Sequence, residues 1–224
     1  MSVSLPVKLA LGTLAGGATA VGGVFAYKEI SKPSVKEKKS IATLISDLRK
    51  DKRLMTKSNG GSEDYWKKGW KDYLDSKKNI WNLSEWKDSS SDSDPAPTAF
   101  MDKCEALSKE EVVDESDERY SAVFNYCTRD TLVSDLISET RGKSLLVKDT
   151  TSPSNADWLK TWGSYKTKNN GATTDEWNIG DWTNNKNQNN VPAAFMDKCL
   201  EKSKMKAHSF DQPEYLKVLE YCTK

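Results

Sequence analysis

Four cysteines and eight tryptophans are the side chains of this chain with the most distinctive chemistry, and both sets divide evenly between two halves. Cys104 and Cys127 enclose 22 residues, and Cys199 and Cys222 enclose the same number. Paired cysteines can form disulfides, sit in a core as free thiols, or bind metal. Metal is poorly served, because there is no C-x-x-C and the sole histidine, His208, aligns with Val113 in the other half. Four cysteines allow three pairings. If disulfides form, a duplicated and self-sufficient unit selects Cys104–Cys127 with Cys199–Cys222. Each loop closure would then contribute about 3.5 kcal/mol before native strain is subtracted, and an oxidising compartment would be implied. The alternative is two buried free thiols per copy, behaving as small hydrophobes.

Catalytic chemistry finds little support. The chain has no phosphate-cradling GxxxxGK[ST], no GxSxG elbow and no HExxH. His208 stands among Lys204, Lys206 and Ser209, in one copy alone, and reads as a loop histidine. Asp102 and Asp197 recur beside a lysine and read as exposed helix residues. No catalytic, cofactor-binding or metal-binding residue is assigned, no cofactor is expected, and the chain reads as non-enzymatic. Tryptophan offers a different chemistry. Trp66/Trp70 and Trp158/Trp162 are spaced i, i+4, which is core geometry. Trp81, Trp86, Trp177 and Trp182 lie in short irregular stretches, where they could stack sugars or fold over a bundle as a lid.

These residues sit in a repeat. Phe100-Met101-Asp102-Lys103-Cys104 returns letter for letter as Phe195–Cys199, and Tyr126-Cys127-Thr128 as Tyr221–Thr223, each 95 positions later. Trp66 and Trp70 match Trp158 and Trp162 at an offset of 92, and Trp81 and Trp86 match Trp177 and Trp182 at 96. Thr43–Leu48 matches Thr131–Leu136 at 88. Apolar residues recur at helical spacing in each block: Ile41, Leu44, Ile45 and Leu48; Trp66, Trp70 and Tyr73; Phe100, Cys104 and Leu107; Tyr120, Val123 and Cys127. Ser62 and Ser154 suit the N-caps of the second helices. Nothing alternates with period two, so the spacing predicts an all-α fold: two tandem modules of four helices, residues 34–128 and 129–224, each large enough for its own core. The loops 89–94, all Ser and Asp, and 184–190, mostly Asn, read as solvated connections.

Residues 1–33 read as a signal anchor and its flank. Leu9–Tyr27 runs 19 residues without a charge, close to a bilayer-spanning length, though diluted by glycine. A cleavable signal peptide ending near Ala18-Thr19-Ala20 is the rival, but cleavage there would leave an apolar end on the mature chain. Lys28, Lys32, Lys36, Lys38 and Lys39 follow the span, which by the positive-inside rule keeps the body in the cytoplasm. Disulfides would place it outside, and the expectation follows the cysteines: a single-pass membrane protein with its body extracellular. Lys+Arg and Asp+Glu nearly cancel, 34 against 33, so no basic excess points to nucleic acid.

The Gly/Ala-rich start, the FMDKC blocks and the aromatic-Cys-Thr endings together resemble the paralogous families of uncharacterised membrane-anchored proteins of haemotropic mycoplasmas. That resemblance implies surface display on a wall-less parasite and antigenic diversification, and it carries over no ligand-binding residue. Three functions stay open: a surface protein that contacts a host protein or varies antigenically, a carbohydrate-binding module using the four lid tryptophans, and an intracellular membrane-tethered scaffold. Membrane lipid, met through the N-terminal helix, is the partner common to all three.

Overall fold

The computed structural model describes residues 37–60, 63–89, 91, 93–148 and 155–224. The first copy is built from α1 (Ile41–Leu48), α2 (Asp64–Asp75), α3 (Thr98–Ser108) and α4 (Glu118–Tyr126). Ser40 caps α1 by accepting a hydrogen bond from the Thr43 amide at 3.1 Å, and Asp117 caps α4 through the Arg119 amide at 2.9 Å. The apolar stripes face one core: Ile41, Leu44 and Ile45 from α1, then Trp66, Trp70, Tyr73 and Leu74 from α2. Leu48, which the periodicity puts on the same stripe, is instead half exposed at the end of its helix. Gly69 lets α2 approach α4 closely. A Cβ there would lie 2.5 Å from the Tyr126 carbonyl oxygen, a backbone atom that cannot step aside.

The second copy repeats the set as α5 (Val133–Glu139), α6 (Ala156–Lys168), α8 (Ala193–Ser203) and α9 (Pro213–Tyr221), with a one-turn α7 (Trp182–Asn185) added before α8. The caps differ from the sequence expectation. Glu63 precedes α2 without a side-chain cap, and Asn155 caps α6 through the Asp157 amide at 2.9 Å; Ser62 and Ser154 lie outside the described residues.

Two corrections concern the first block and the strands. The buried Val133, Leu136 and Ile137 of α5 occupy the places of Ile41, Leu44 and Ile45, an offset of 92 and not 88. Backbone bonding fixes this register: the Ile41 amide donates to the Glu110 carbonyl and the Val133 amide to the Met205 carbonyl, both at 2.9 Å. At 92 the match reads Leu-Ile-Ser-acid-x-Arg in both copies, Leu44–Arg49 and Leu136–Arg141. The fold is helix-rich but not purely helical, because the connections pair as strands. β1 (Lys39–Ser40) runs antiparallel to β3 (Glu111–Val112), and β2 (Lys52–Leu54) to β4 (Thr128–Asp130) in the register Lys52↔Asp130 and Leu54↔Thr128. In the second copy they shrink to the bridges Leu132↔Lys206 and Leu145↔Thr223. Strands of two or three residues are too short to show alternation in sequence.

Two hydrophobic cores result. One runs from Ile41 to Cys127 and the other from Val133 to Cys222. Lys36–Lys224 nonetheless forms one compact unit, because the segment between the cores is bonded on both sides. The Thr131 amide donates to the Asp51 carbonyl of the first copy, and the Thr131 carbonyl accepts from the Ala207 amide of the second, both at 2.9 Å. Among the described residues no helix is long and apolar enough to cross a membrane; the expected anchor, Leu9–Tyr27, lies outside them.

Candidate functional site

Cys104 projects from α3 and Cys127 ends α4, just where the chain leaves the helix to pair as β4. They are joined as a disulfide, and Cys199–Cys222 is joined identically, with Cα atoms 5.5 Å apart in both copies. Each bond therefore ties two helices to the strand that closes its module, and all four sulfurs are buried. With every cysteine bonded, none is a nucleophile or a partner for His208, whose ring is exposed while its amide donates to Gln212 Oε1 at 2.7 Å.

Asp102 and Asp197 are exposed on their helices, as the sequence reading has them, and each has an equivalent ion-pair partner. Lys57 reaches Asp102, and Lys148, in the same place in the second copy, reaches Asp197. These pairs clip the segment after the first helix onto the third. A hydrogen-bonded indole reinforces each clip: Trp66 Nε1 donates to the Thr56 carbonyl at 2.9 Å and Trp158 Nε1 to the Val147 carbonyl at 3.0 Å.

Of the four irregular tryptophans, Trp177 and Trp182 belong to the second core and Trp81 and Trp86 pack against the first. Trp177 is 5% exposed, with ring centroids 5.1 Å from Tyr165, 5.4 Å from Tyr221 and 5.9 Å from Phe195. Trp182 is 4% exposed, lies edge-on to Trp162 and donates through Nε1 to the Ala172 carbonyl. Trp81 and Trp86 are half-buried against the first core, and Trp81 stacks on Tyr73 at 4.8 Å. Sugar stacking needs an open aromatic face, which Trp177 and Trp182, packed as a lid on the second core, do not have.

Tyrosine hydroxyls hold the lid down. Tyr73 Oη donates to Asn79 Oδ1 at 2.9 Å and accepts from the Trp81 amide at 3.0 Å, while Asn79 Oδ1 also takes the Leu83 amide. In the second copy Tyr165 Oη donates to Asp175 and accepts from the Trp177 amide, and Asp175 takes the Ile179 amide at 2.8 Å. Burial raises the pKa of both phenols; for Tyr165 the hydrogen bond to Asp175 adds to it. Asn82 and Asn178 follow the tryptophans in the left-handed region, both at φ 52°, which asparagine tolerates better than most residues. That explains why the Trp-Asn dipeptide is kept in both copies. Removing Asp175 as Asp175→Ala orphans two buried donors and costs about 2–4 kcal/mol, whereas Asp175→Asn, the residue of the first copy, costs about 1 kcal/mol. Equilibrium denaturation followed by tryptophan fluorescence measures both.

No known protein family, curated protein or solved structure matches the chain. Function has to be read from the residues themselves.

The junction between copies is the other built feature. Asp130 accepts from Lys52 of the first copy at 2.7 Å and also pairs with Lys206 of the second. Arg53 reaches Glu139 at 2.8 Å and the Thr131 hydroxyl at 3.1 Å. Arg129 grips Asp135 with two nitrogens at 2.6 and 2.8 Å. Beside these pairs runs an open groove of about 820 Å³ between the copies, lined by Ser46, Lys50, Arg53, Glu139, His208 and Phe210. Among the described residues no three His, Cys, Asp or Glu side chains converge to hold a metal ion.

Lys206 and Lys52 hold the Asp130 carboxyl below its ordinary range. For Asp135, burial pushes upward, but Arg129 and the Leu132 amide outweigh it and the net direction is down. Depressed carboxylates stabilise the fold at pH values above their unfolded pKa, about 4, and that contribution is lost as pH falls through the folded value. The junction should therefore loosen in acid. Asp135→Asn is expected to lower stability by about 1–3 kcal/mol at neutral pH and to flatten the acid limb of a melting-temperature profile. An unchanged acid limb would show that the pair contributes nothing there.

Sequence reasoning did not find the junction or the Asn79/Asp175 turn. The turn has a signal, since both residues stand two positions before the third tryptophan in register at offset 96. The junction has none, because its pairs join unlike positions of the two copies.

Proposed function

We propose that this chain is a non-enzymatic, membrane-anchored protein whose body is displayed outside the cell, where it contacts a host protein or varies antigenically. The observation that carries the reading is the pair of intramodular disulfides, Cys104–Cys127 and Cys199–Cys222. Such bonds form and persist in oxidising surroundings and are rare in a reducing cytosol. A duplicated, stapled unit with small cores and variable polar loops suits exposure to proteases, since the staple limits local opening and the loops tolerate change. Leu9–Tyr27 serves as the anchor, and its basic flank lies beside the membrane. Trp177 and Trp182, buried in the second core, offer no open face for a sugar, which supports a protein as the host partner at that copy.

Protease treatment of intact cells tests this reading. Loss of the body with cytosolic markers intact is the expected result. A body protected until lysis would move the protein to the cytoplasmic face.

A further inference from the structure

At two surfaces the copies carry different residues at equivalent positions, and those surfaces complement each other. The first is a groove of about 320 Å³ between the strand-like segment Leu145–Lys148 and α8, floored by Met196 and the Cys199–Cys222 bridge. In the second copy its lips are apolar: Val147 is 82% exposed and Leu200 48% exposed. The first copy has Thr56 and Glu105 in those places, and Glu105 closes the site with ion pairs to Lys57 at 2.9 Å and Lys109 at 2.6 Å. Leu200 removes that closure. Lys204, one turn after Leu200 and in the place of Lys109, and Lys224, which lines the adjoining cavity, have no carboxylate partner among the described residues, while Lys148 lines the groove's edge paired to Asp197.

The second surface is the segment 110–118 of the first copy, Glu-Glu-Val-Val-Asp-Glu-Ser-Asp-Glu, with six carboxylates in nine residues. Its counterpart, 205–213, has one. Arg119 engages Glu110 and Asp117, while Glu111, Glu115 and Glu118 have no ion pair among the described residues. At the centre Val113 is 44% exposed. One surface thus presents apolar lips beside the unpaired Lys204 and Lys224, and the other an exposed valine in a segment that carries the unpaired Glu111, Glu115 and Glu118. The structure seats no part of segment 110–118 in the groove, and the bonded junction fixes the two copies of one chain with respect to each other.

We propose that the groove of the second copy receives segment 110–118 of another molecule of this same protein, joining chains head to tail. The apolar pair Val113 with Val147 and Leu200 supplies the buried centre, and the carboxylate–lysine pairs supply orientation and register. Such a contact is heterologous: an open row leaves a free groove at one end and a free acidic segment at the other, a closed ring leaves neither, and either would lie along the membrane that the proposed anchor reaches.

Full-length protein made in light and heavy nitrogen, mixed and reconstituted into vesicles, tests this with a zero-length carbodiimide cross-linker. Cross-links from Glu111, Glu115 or Glu118 to Lys148, Lys204 or Lys224 are expected in mixed-isotope peptides. They should fall at least about tenfold in the double variant Val147→Thr with Leu200→Glu, and weaken in about 0.5 M salt, where exposed charges are screened. Both replacements are the first copy's own residues at these places, so folding is retained, which near-ultraviolet circular dichroism checks. Absence of these cross-links, their confinement to single-isotope peptides, or their persistence in the double variant overturns the proposal. So does shielding of the three lysines from acetylation by added anionic lipid with no such cross-links, which would make the groove a membrane contact.

Discussion

Replacing Cys199 and Cys222 together by alanine is expected to lower the stability of the second copy by about 3 kcal/mol, within the range of 2–5 kcal/mol seen for native staples of small secreted domains. The bond closes a loop of 23 positions, so most of the loss arises from an unfolded chain that regains freedom. A second contribution is local. Cys222 ends α9, and immediately beyond it Thr223 pairs with Leu145 while the Cys222 carbonyl accepts from Leu146. Freeing the sulfur loosens the strand that shuts the module. Because the two cores are separate, the equivalent double replacement of Cys104 and Cys127 should add nearly independently. Denaturant unfolding of the two double variants and the quadruple variant measures this; a loss under about 1 kcal/mol per bond would mean that packing alone closes each module.

Phe195→Ala should cost about 3–5 kcal/mol, the range for deleting a fully buried aromatic side chain. Phe195 is inaccessible to solvent, and its ring centroid lies 5.0 Å from Trp162, 5.1 Å from Tyr165, 5.9 Å from Trp177 and 6.0 Å from Trp158. These four rings come from α6 and from the turn ahead of α7, so the phenyl is where helix and lid meet. Phe100 does the same among Trp66, Trp70, Tyr73 and Trp81. Phe195→Ala should also loosen Trp177, seen as a red shift of tryptophan emission under native conditions. A variant with unaltered emission and a small stability loss would mean that the lid is held by the Tyr165–Asp175 bonds alone.

The repeat made the helices and the cysteine pairing legible. Apolar spacing in Trp66–Tyr73 and Phe100–Leu107 is long enough to define a face, and duplication reduced three pairings to one. The first block misleads because Thr-Leu-x-Ser-Asp-Leu occurs by chance at 88, where five identities outweigh burial that only the fold displays. The short strands escaped because two paired residues carry no period. The tryptophan turn reads in sequence as a lid or a platform, because the tyrosine hydroxyl that ties it down, Tyr165 for Trp177, lies one helix away.

Peptide mapping of native protein under non-reducing conditions, with free thiols alkylated on intact cells before lysis, tests the account most directly. Peptides joining Cys104 to Cys127 and Cys199 to Cys222, with no alkylated cysteine, are the predicted result. A bridge between copies, or four alkylated thiols, would contradict it.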